Sequence, residues 1–225
     1  MKINALILTG YGINAEKELS WAFEIAGANS KIVHIEDVIE NKKSLGDYQI
    51  IGFPGGFSFG DHIASGKVFS NIVKYNFFEE LKRFIEKDKL VIGICNGFQI
   101  ITRLGLVPDL DGSYSHTVSL IENDSGRFED RWVYVKTEKN SSPWLKDIES
   151  LYLPVRHGEG KFIAKDATII NDIKKNNQVA FKYFNPENKS EPVEYPYNPN
   201  GAAQDIAGIT NVKGNVLGLM PHPEA

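Results

Sequence analysis

The residues with the clearest capacity for chemistry are a single cysteine and a histidine–glutamate pair far from it in the chain. Cys95 stands in the apolar run of residues 90–101, which is broken by the pattern Gly93-x-Cys95-x-Gly97. The same strand, tight turn and helix present the serine of a nucleophile elbow, where glycines leave room for the turn. A helix N-terminus favours the thiolate, so Cys95 could attack a carbonyl carbon near neutral pH. A buried, inert core cysteine is the alternative.

His222 and Glu224 stand two residues apart between prolines, after the β-rich run of residues 215–220. In an extended backbone, residues i and i+2 project to the same side. A cysteine nucleophile needs a base, and a histidine base is oriented by an acid, so Cys95, His222 and Glu224 form a candidate triad if the fold brings them together. A proline-rich surface turn is the alternative for the histidine–glutamate pair.

Two glycine-rich segments are candidates for the walls of such a site. The turn Gly55-Gly56-Phe57 follows a predicted strand beside the elbow strand, where its backbone N–H groups can form an oxyanion hole together with the N–H of Asn96. A glycine turn with aromatic packing is the alternative. The loop at residues 156–160 is expected to line the same pocket, with His157 either a pocket residue or a structural one.

Two segments imitate phosphate-binding loops. Gly10-x-Gly12-x-x-Ala15 follows a strand and opens a helix, and Glu36 ends the next strand, as in the dinucleotide fingerprint. The same spacing arises wherever a strand turns tightly into a helix, so a Rossmann-type nucleotide-binding module is kept as the weaker alternative. Residues 60–67 resemble a P-loop but have one residue too many between the glycines, and Val68 stands where Mg²⁺ needs a hydroxyl.

Composition narrows the function classes. Hydrophobic residues make up 42% of the 225 positions, enough for a full core, and we expect a single domain over residues 1–225. The net charge of −4 and the isolated basic pairs argue against binding to nucleic acid. One cysteine excludes an internal disulfide, and neither a signal peptide nor an 18-residue apolar span is visible, so we expect a cytoplasmic protein that does not bind membranes.

Strands and helices alternate in the first half and strands dominate the second. The early strands are expected at residues 2–8, 31–35, 48–53 and 90–94, and the helices at 14–26, 69–85 and 96–104. Asn14 is the expected cap of the first helix and Gly27 its end. Later strands are expected at 131–137, 151–155, 179–184 and 205–210. The pattern predicts an α/β fold with a mainly parallel, doubly wound sheet, helices on both faces and a partly antiparallel β extension.

Four segments resemble the class I (triad) glutamine amidotransferases. They read Gly-Gly-Phe-Ser-Phe-Gly-Asp at 55–61, Gly-Ile-Cys-Asn-Gly-Phe-Gln at 93–99, His-Gly-Glu-Gly at 157–160 and Met-Pro-His-Pro-Glu at 220–224. The first segment and the asparagine after the cysteine are similar to the purine-pathway branch, the glutaminase subunits of phosphoribosylformylglycinamidine synthase. The resemblance spans residues 9–224 and implies a flavodoxin-like sheet.

By this resemblance each motif acquires a role. Cys95 is the nucleophile, His222 the base and Glu224 its orienting acid. The oxyanion and substrate-binding groups implied are Gly55, Gly56, Phe57, Asn96, Gln99, His157 and Gly158. The family hydrolyses glutamine to glutamate and ammonia through a thioester and passes the ammonia to an ATP-dependent synthetase subunit, which converts formylglycinamide ribonucleotide to formylglycinamidine ribonucleotide. The implied partners are L-glutamine, that synthetase and a small accessory subunit; no cofactor or metal is implied in this chain, and ATP and Mg²⁺ belong to the synthetase.

Two features depart from the family pattern or lie outside it. Family members usually continue beyond His-Pro-Glu, so we expect further residues after Ala225. Residues 185–204 form a long loop rich in proline and asparagine, which we expect to contact the partner. A cysteine-dependent hydrolase or DJ-1-like protein on a similar sheet remains the alternative function; release of product from esters or peptides, but not from glutamine, would identify it.

Overall fold

The computed structural model describes residues 2–40, 44–188 and 192–225. The strands are β1 (Asn4–Thr9), β2 (Asn29–His34), β3 (Ile50–Phe53), β4 (Leu90–Ile94), β5 (Val118–Ile121), β6 (Glu129–Thr137), β7 (Ser150–His157), β8 (Lys161–Ala164), β9 (Val179–Tyr183), β10 (Ile206–Thr210) and β11 (Val216–Leu219). The helices are α1 (Glu16–Ile25), α2 (Ile35–Ile39), α3 (Lys67–Asn76), α4 (Phe78–Glu86), α5 (Asn96–Arg103) and α6 (Ala167–Lys175). No helix in these described ranges is long and apolar enough to cross a membrane.

Nine strands form one mixed sheet in the order β2-β1-β3-β4-β11-β10-β9-β6-β7. The strands from β2 to β11 pair in parallel, whereas β10, β9, β6 and β7 continue the sheet by antiparallel pairing. β5 and β8 form a separate antiparallel pair. The expected combination of a parallel sheet with an antiparallel extension is therefore confirmed.

Helices cover both faces of the parallel half. A Cβ built on Gly52 of β3 would lie 2.9 Å from Leu19 of α1, whereas the Cβ of the next residue, Phe53, lies 2.9 Å from the Cβ position of Gly97 in α5. Successive residues of a strand point to opposite faces, so α1 and α5 sandwich β3. The apolar runs of β1, β3 and β4 are buried as a consequence.

Two expectations about the helices are wrong. The helix expected over residues 69–85 is two helices, because Phe77 leaves the helical region with φ −144° and the Asn76 side chain donates to the Ile72 carbonyl at 2.8 Å, ending α3. Asn14 does not cap α1: the N-cap is Ala15, without a side-chain hydrogen bond, and the N–H groups of both residues donate to the Gly55 carbonyl. Gly27 ends α1 as expected, with φ +90°.

Candidate active site

Cys95 lies at a sharp turn between β4 and α5. Its backbone has φ +52° and ψ −108°, a region that non-glycine residues rarely adopt, and its N–H donates to the Leu219 carbonyl of β11 at 2.8 Å. The strand before the turn and the helix after it are both buried, so the strained residue is held from both sides. The turn has the geometry of a nucleophile elbow.

The two glycines of the elbow are required by close backbone approach. A Cβ on Gly93 would lie 2.7 Å from the Gly97 carbonyl oxygen, and a Cβ on Gly97 would overlap the Phe53 carbonyl oxygen of β3. Because both obstacles are backbone atoms, rotation of a side chain cannot relieve them. The glycine spacing around Cys95 is thus explained by the packing of α5 against β3 and β4.

His222 and Glu224 form a buried hydrogen-bonded pair beside this elbow. His222 Nδ1 lies 2.7 Å from Glu224 Oε1, and only 7% and 2% of the two side chains are exposed. His222 Nε2 has no hydrogen-bond partner within the described residues, which leaves this nitrogen for the thiol or a substrate. Burial alone would lower the pKa of His222, but interactions with Cys95 and Glu224 outweigh it and raise the pKa to about 10.

The end of β7 closes over the same place. The His222 N–H donates to the Pro154 carbonyl at 2.9 Å, and Cys95 Sγ lies 3.7 Å from the Arg156 carbonyl oxygen. β7 is four strands away from β11, which in a flat sheet would be about 19 Å. The antiparallel half must therefore bend over the carboxyl ends of the parallel strands, and it supports both Cys95 and His222.

The glycine turn after β3 lies against His222 and Cys95. A Cβ on Gly55 would lie 2.9 Å from His222 Cε1 and 3.5 Å from Cys95 Cβ. The Phe57 N–H donates to the Gly12 carbonyl at 2.8 Å, so this N–H is not available for an oxyanion, contrary to what the motif suggested. Gly56 pairs with Ile13 without exchanging hydrogen bonds, which leaves its N–H outside that pairing.

Asn96 and Gln99 of α5 connect the elbow to two loops. Asn96 Oδ1 accepts from the Ser58 N–H at 3.2 Å, and Asn96 Nδ2 donates to Gln99 Oε1 at 2.8 Å. Gln99 Nε2 in turn donates to the Glu159 carbonyl at 2.7 Å. The Asn96 N–H is at the first helical position, where a backbone N–H has no partner within the helix.

Cys95 lies between two cavities. One, of about 230 Å³, is lined by Asp61, Gln99, Arg156, His157, Gly158 and Glu159. The other, of about 220 Å³, is lined by Asn14, Ala15, Glu18, His222, Glu224 and Ala225. Five residues contribute to both cavities: Gly56, Phe57, Cys95, Phe128 and Arg156. Asp61 and Glu159 add two carboxyl groups to the lining of the first cavity.

Two charged residues near the first cavity were not among the predicted site residues: Asp61, although it ends the 55–61 segment, and Arg103, which lies outside every motif. Burial raises the pKa of Asp61, and the charge of Glu159 adds to this effect. Burial lowers the pKa of Arg103, while Asp61 and Glu159 oppose the shift. Arg103 Nε donates to the Ser65 carbonyl at 2.6 Å, which holds its charge behind the cavity wall. Arg103 is the last residue of α5, the helix that begins directly after Cys95, and this position is the sequence signal that could have placed it here.

The turn after β3 packs directly against the Gly10-x-Gly12-x-x-Ala15 segment, where a phosphate would bind in a dinucleotide fold. The Phe57 and Phe59 N–H groups donate to the Gly12 and Tyr11 carbonyls, both at 2.8 Å, and a Cβ on Gly12 would overlap the Phe57 carbonyl oxygen. Gly12 is therefore required for the approach of the turn after β3, a reason unrelated to phosphate. Residues 2–40, 44–188 and 192–225 contain no group of three or more His, Cys, Asp or Glu side chains placed to hold a metal ion.

Part of the 185–204 loop lies in the protein interior, since residues 198–200 and 202 are buried. Residues 189–191 lie outside the described residues. Asn200 is fully buried, and its Nδ2 donates to the Gly160 carbonyl at 2.8 Å and to the Tyr183 hydroxyl oxygen at 3.1 Å. This part of the loop is therefore hydrogen-bonded to Gly160, the residue that follows Glu159 of the cavity lining.

The family follows from comparison with known proteins. The profile of the CobB/CobQ-like glutamine amidotransferase domain matches residues 2–225, and the chain belongs to this family. A glutamine amidotransferase of known structure from Thermotoga maritima, 15% identical, has the same fold with a TM-score of 0.58, covering 100% of this chain and 77% of that one.

Within the family the similarity is to one kind of subunit. Phosphoribosylformylglycinamidine synthase subunit PurQ of Methanococcus maripaludis is 48% identical over 220 residues, covering 97% of this chain and 81% of the relative. The structure of PurLQS from Thermotoga maritima contains a chain that is 31% identical, with a TM-score of 0.76, and the match covers 100% of this chain and 89% of that chain. The resemblance to the purine-pathway glutaminase subunits is confirmed.

Proposed function

We propose that this chain is the glutaminase subunit of a phosphoribosylformylglycinamidine synthase, a carbon–nitrogen ligase that uses glutamine as amide donor. The observation that carries the proposal is the buried His222–Glu224 pair next to a strained cysteine at a helix N-terminus. A structural core cysteine needs neither the strained turn nor a hydrogen-bonded imidazole and carboxylate beside it. The PurQ and PurLQS relatives supply the pathway.

The reaction begins with attack of the Cys95 thiolate on the side-chain amide carbon of glutamine. His222 holds the proton taken from the thiol, and the amide oxygen becomes an oxyanion stabilised by the N–H groups of Gly56 and Asn96. As the C–N bond breaks, His222 gives its proton to the nitrogen and ammonia leaves. Water then attacks the thioester, His222 accepts its proton and returns it to the sulfur, and glutamate is released.

Glu224 helps His222 both to accept a proton and to donate it. The 2.7 Å hydrogen bond fixes the imidazole with Nδ1 toward the carboxylate and leaves Nε2 for proton transfer. The pKa of about 10 applies while the thiolate and Glu224 both stabilise the charged imidazolium. Attack consumes the thiolate charge, which removes one of these interactions and makes the proton easier to give to the leaving nitrogen.

The amino acid end of glutamine is placed in the cavity that contains Gln99 and Gly158. Carboxylates of Asp61 and Glu159 offer acceptors for the α-ammonium group, and Arg156 offers donors for the α-carboxylate. A Cβ on Gly158 would contact nothing within 4 Å, so this position leaves open space for substrate.

The ammonia is used by a partner. We assign the ATP and Mg²⁺ of the overall reaction to the synthetase subunit, where formylglycinamide ribonucleotide is converted to formylglycinamidine ribonucleotide, and expect a small accessory subunit in the complex, in keeping with the PurLQS relative. The chemistry requires a reduced thiol, which fits a cytoplasmic setting.

The division of labour is tested by a nitrogen-source experiment. In the assembled complex, Cys95→Ala should abolish product formation from glutamine and leave formation from ammonium salts within about twofold of wild type, because the synthetase chemistry lies in the partner. Gly46→Ala, in a short turn far from Cys95, is the matched control. Equal loss with both nitrogen sources would contradict the proposal.

We further propose that docking of the partner acts on the site through the 185–204 loop. Asn200 ties this loop to Gly160, so movement of the loop would move the cavity wall. Glutamate release by the free chain should be slower than by the complex. Asn200→Ala should reduce the stimulation of glutamate release by the partner more than it reduces the rate of the free chain. An unchanged stimulation would show that the loop does not transmit docking to the site.

A further inference from the structure

One buried polar atom of the glutamine cavity is not used by the mechanism above. His157 is 2% exposed and lines the cavity with Cys95 and Gln99, and its Nε2 has no hydrogen-bond partner within the described part of the chain. Buried polar atoms are nearly always paired, so an unpaired one on a cavity wall indicates a partner that arrives with the ligand.

The neighbours of His157 determine which kind of partner this is. Asn123 Nδ2 donates to the carbonyls of Arg127 and His157, at 2.9 and 2.8 Å, which fixes the orientation of its amide. Asn123 Oδ1 is thus an acceptor, and it receives the Gly160 N–H at 3.0 Å. His157 Nδ1, 3.1 Å from the same oxygen, must therefore carry a proton.

A histidine protonated at Nδ1 has a free acceptor at Nε2 as long as it stays neutral. Burial, together with the charge of His222, lowers the pKa of His157 to about 3, so the imidazole is neutral across the physiological range. His157 lies at the Cys95 end of the cavity, because Cys95 lines the same cavity and the carbonyl oxygen of the preceding residue, Arg156, lies 3.7 Å from Cys95 Sγ. Nε2 is thus a buried acceptor that needs a donor from the substrate.

Glutamine offers N–H donors at its two ends, the α-ammonium and the side-chain amide. Because Asp61 and Glu159 supply acceptors for the former, and His157 lines the cavity together with Cys95, we propose that His157 Nε2 accepts a hydrogen bond from the side-chain amide N–H of glutamine. His157 is then a positioning and specificity residue: glutamate, the product, has no N–H at this place. This inference rests on the glutaminase function proposed above.

The test compares an amide with an ester. L-glutamic acid γ-methyl ester carries the same α groups as glutamine and forms the same Cys95 thioester, but has no side-chain N–H. In the assembled complex, His157→Phe should lower kcat/KM for glutamine by about 10- to 100-fold, the cost of an unpaired buried donor, and change that for the ester by less than about threefold. His157→Gln, which places an acceptor near the Nε2 position, should restore most of the loss.

His116→Phe is the control, because His116 is exposed and outside the cavity lining. Equal losses with glutamine and the ester, or no loss with glutamine, would overturn the inference while leaving the glutaminase function intact. A wild-type complex that releases glutamate from neither substrate would overturn the function itself.

A second measurement does not depend on the folding of the phenylalanine variant. In ¹⁵N-histidine-labelled Cys95→Ala chain, assembled with its partner, the His157 signals assigned with His157→Gln should show a proton on Nδ1 and none on Nε2. Glutamine should shift the Nε2 resonance and the methyl ester should not. A proton on Nε2, or a resonance that glutamine leaves in place, would contradict the assignment.

Discussion

Gly55→Ala tests whether the glycine turn sets the position of the catalytic imidazole. The new Cβ would lie 2.9 Å from His222 Cε1, about 0.6 Å short of a normal carbon–carbon contact, whereas its distances to Cys95 Cβ and Ala15 Cβ, 3.5 and 3.6 Å, are ordinary. Gly55 has no positive φ, so alanine causes no backbone strain. The substitution therefore pushes the imidazole and little else.

The expected cost follows from that displacement. A misplacement of about 1 Å in a catalytic group costs about 100-fold in rate, so a shift of roughly half this size should lower kcat by about tenfold, or about 1.4 kcal/mol. Glutamate release is measured in the assembled complex, with KM for glutamine determined alongside, because substrate binding on the other side of Cys95 should change little.

Gly46→Ala is the matched control, since its Cβ would meet only the movable Ser44 hydroxyl, at 3.3 Å. Thermal unfolding should show the two variants within a few degrees of wild type, and synthesis from ammonium salts should be retained by both. A Gly55→Ala complex with wild-type kcat would refute the claim that this turn holds His222 in place. A large loss of thermal stability would show that the new methyl group disturbs the surrounding fold and not only the imidazole.

Three further outcomes are expected. Glu224→Gln should lower kcat by about 10³–10⁴-fold, because the imidazole loses its charged partner; a loss below tenfold would remove Glu224 from the triad. Gly97→Ala should lower the free energy of unfolding in urea by about 2 kcal/mol or more, since the overlap with the Phe53 carbonyl outweighs the gain in helix propensity. The raised pKa of His222 adds to the free energy of unfolding; this contribution is complete below about pH 6.5 and is lost as pH rises toward 10. In His222→Asn the free energy of unfolding should not show this decrease between about pH 6.5 and 10. A variant with the same pH profile as wild type would contradict the prediction.

Much of the parallel half could be predicted because its elements are local. The strand at residues 90–94 and the helix that follows are read directly from an apolar run, a glycine pattern and helical spacing, and the structure gives β4 and α5 at these places. The break at Phe77 was missed because it depends on a side-chain hydrogen bond from Asn76, which apolar periodicity does not report.

The second half was harder because its pairings are distant in sequence. β5 and β8 are four-residue strands separated by about forty positions, too short for a periodic pattern, and α6 begins at an Asp166 cap that was overlooked between strands. The sequence indicates the Gly55-Gly56-Phe57 turn as a candidate for oxyanion binding, but only the structure shows that the Phe57 N–H is occupied by the Gly12 carbonyl. Local sequence can indicate which loop is functional; which N–H is available depends on a second loop.

The bend that brings β7 over the elbow has a consequence for how activity responds to loss of structure. Cys95, the Pro154 and Arg156 carbonyls, and His222 come from three remote parts of the chain, so we expect the proposed triad to keep its geometry only while the β6–β7 hairpin stays docked. Partial opening of this outer hairpin would release the imidazole before the parallel core unfolds. Mild denaturant should therefore abolish activity at a lower concentration than it abolishes the helical circular-dichroism signal, because the edge hairpin unfolds locally first.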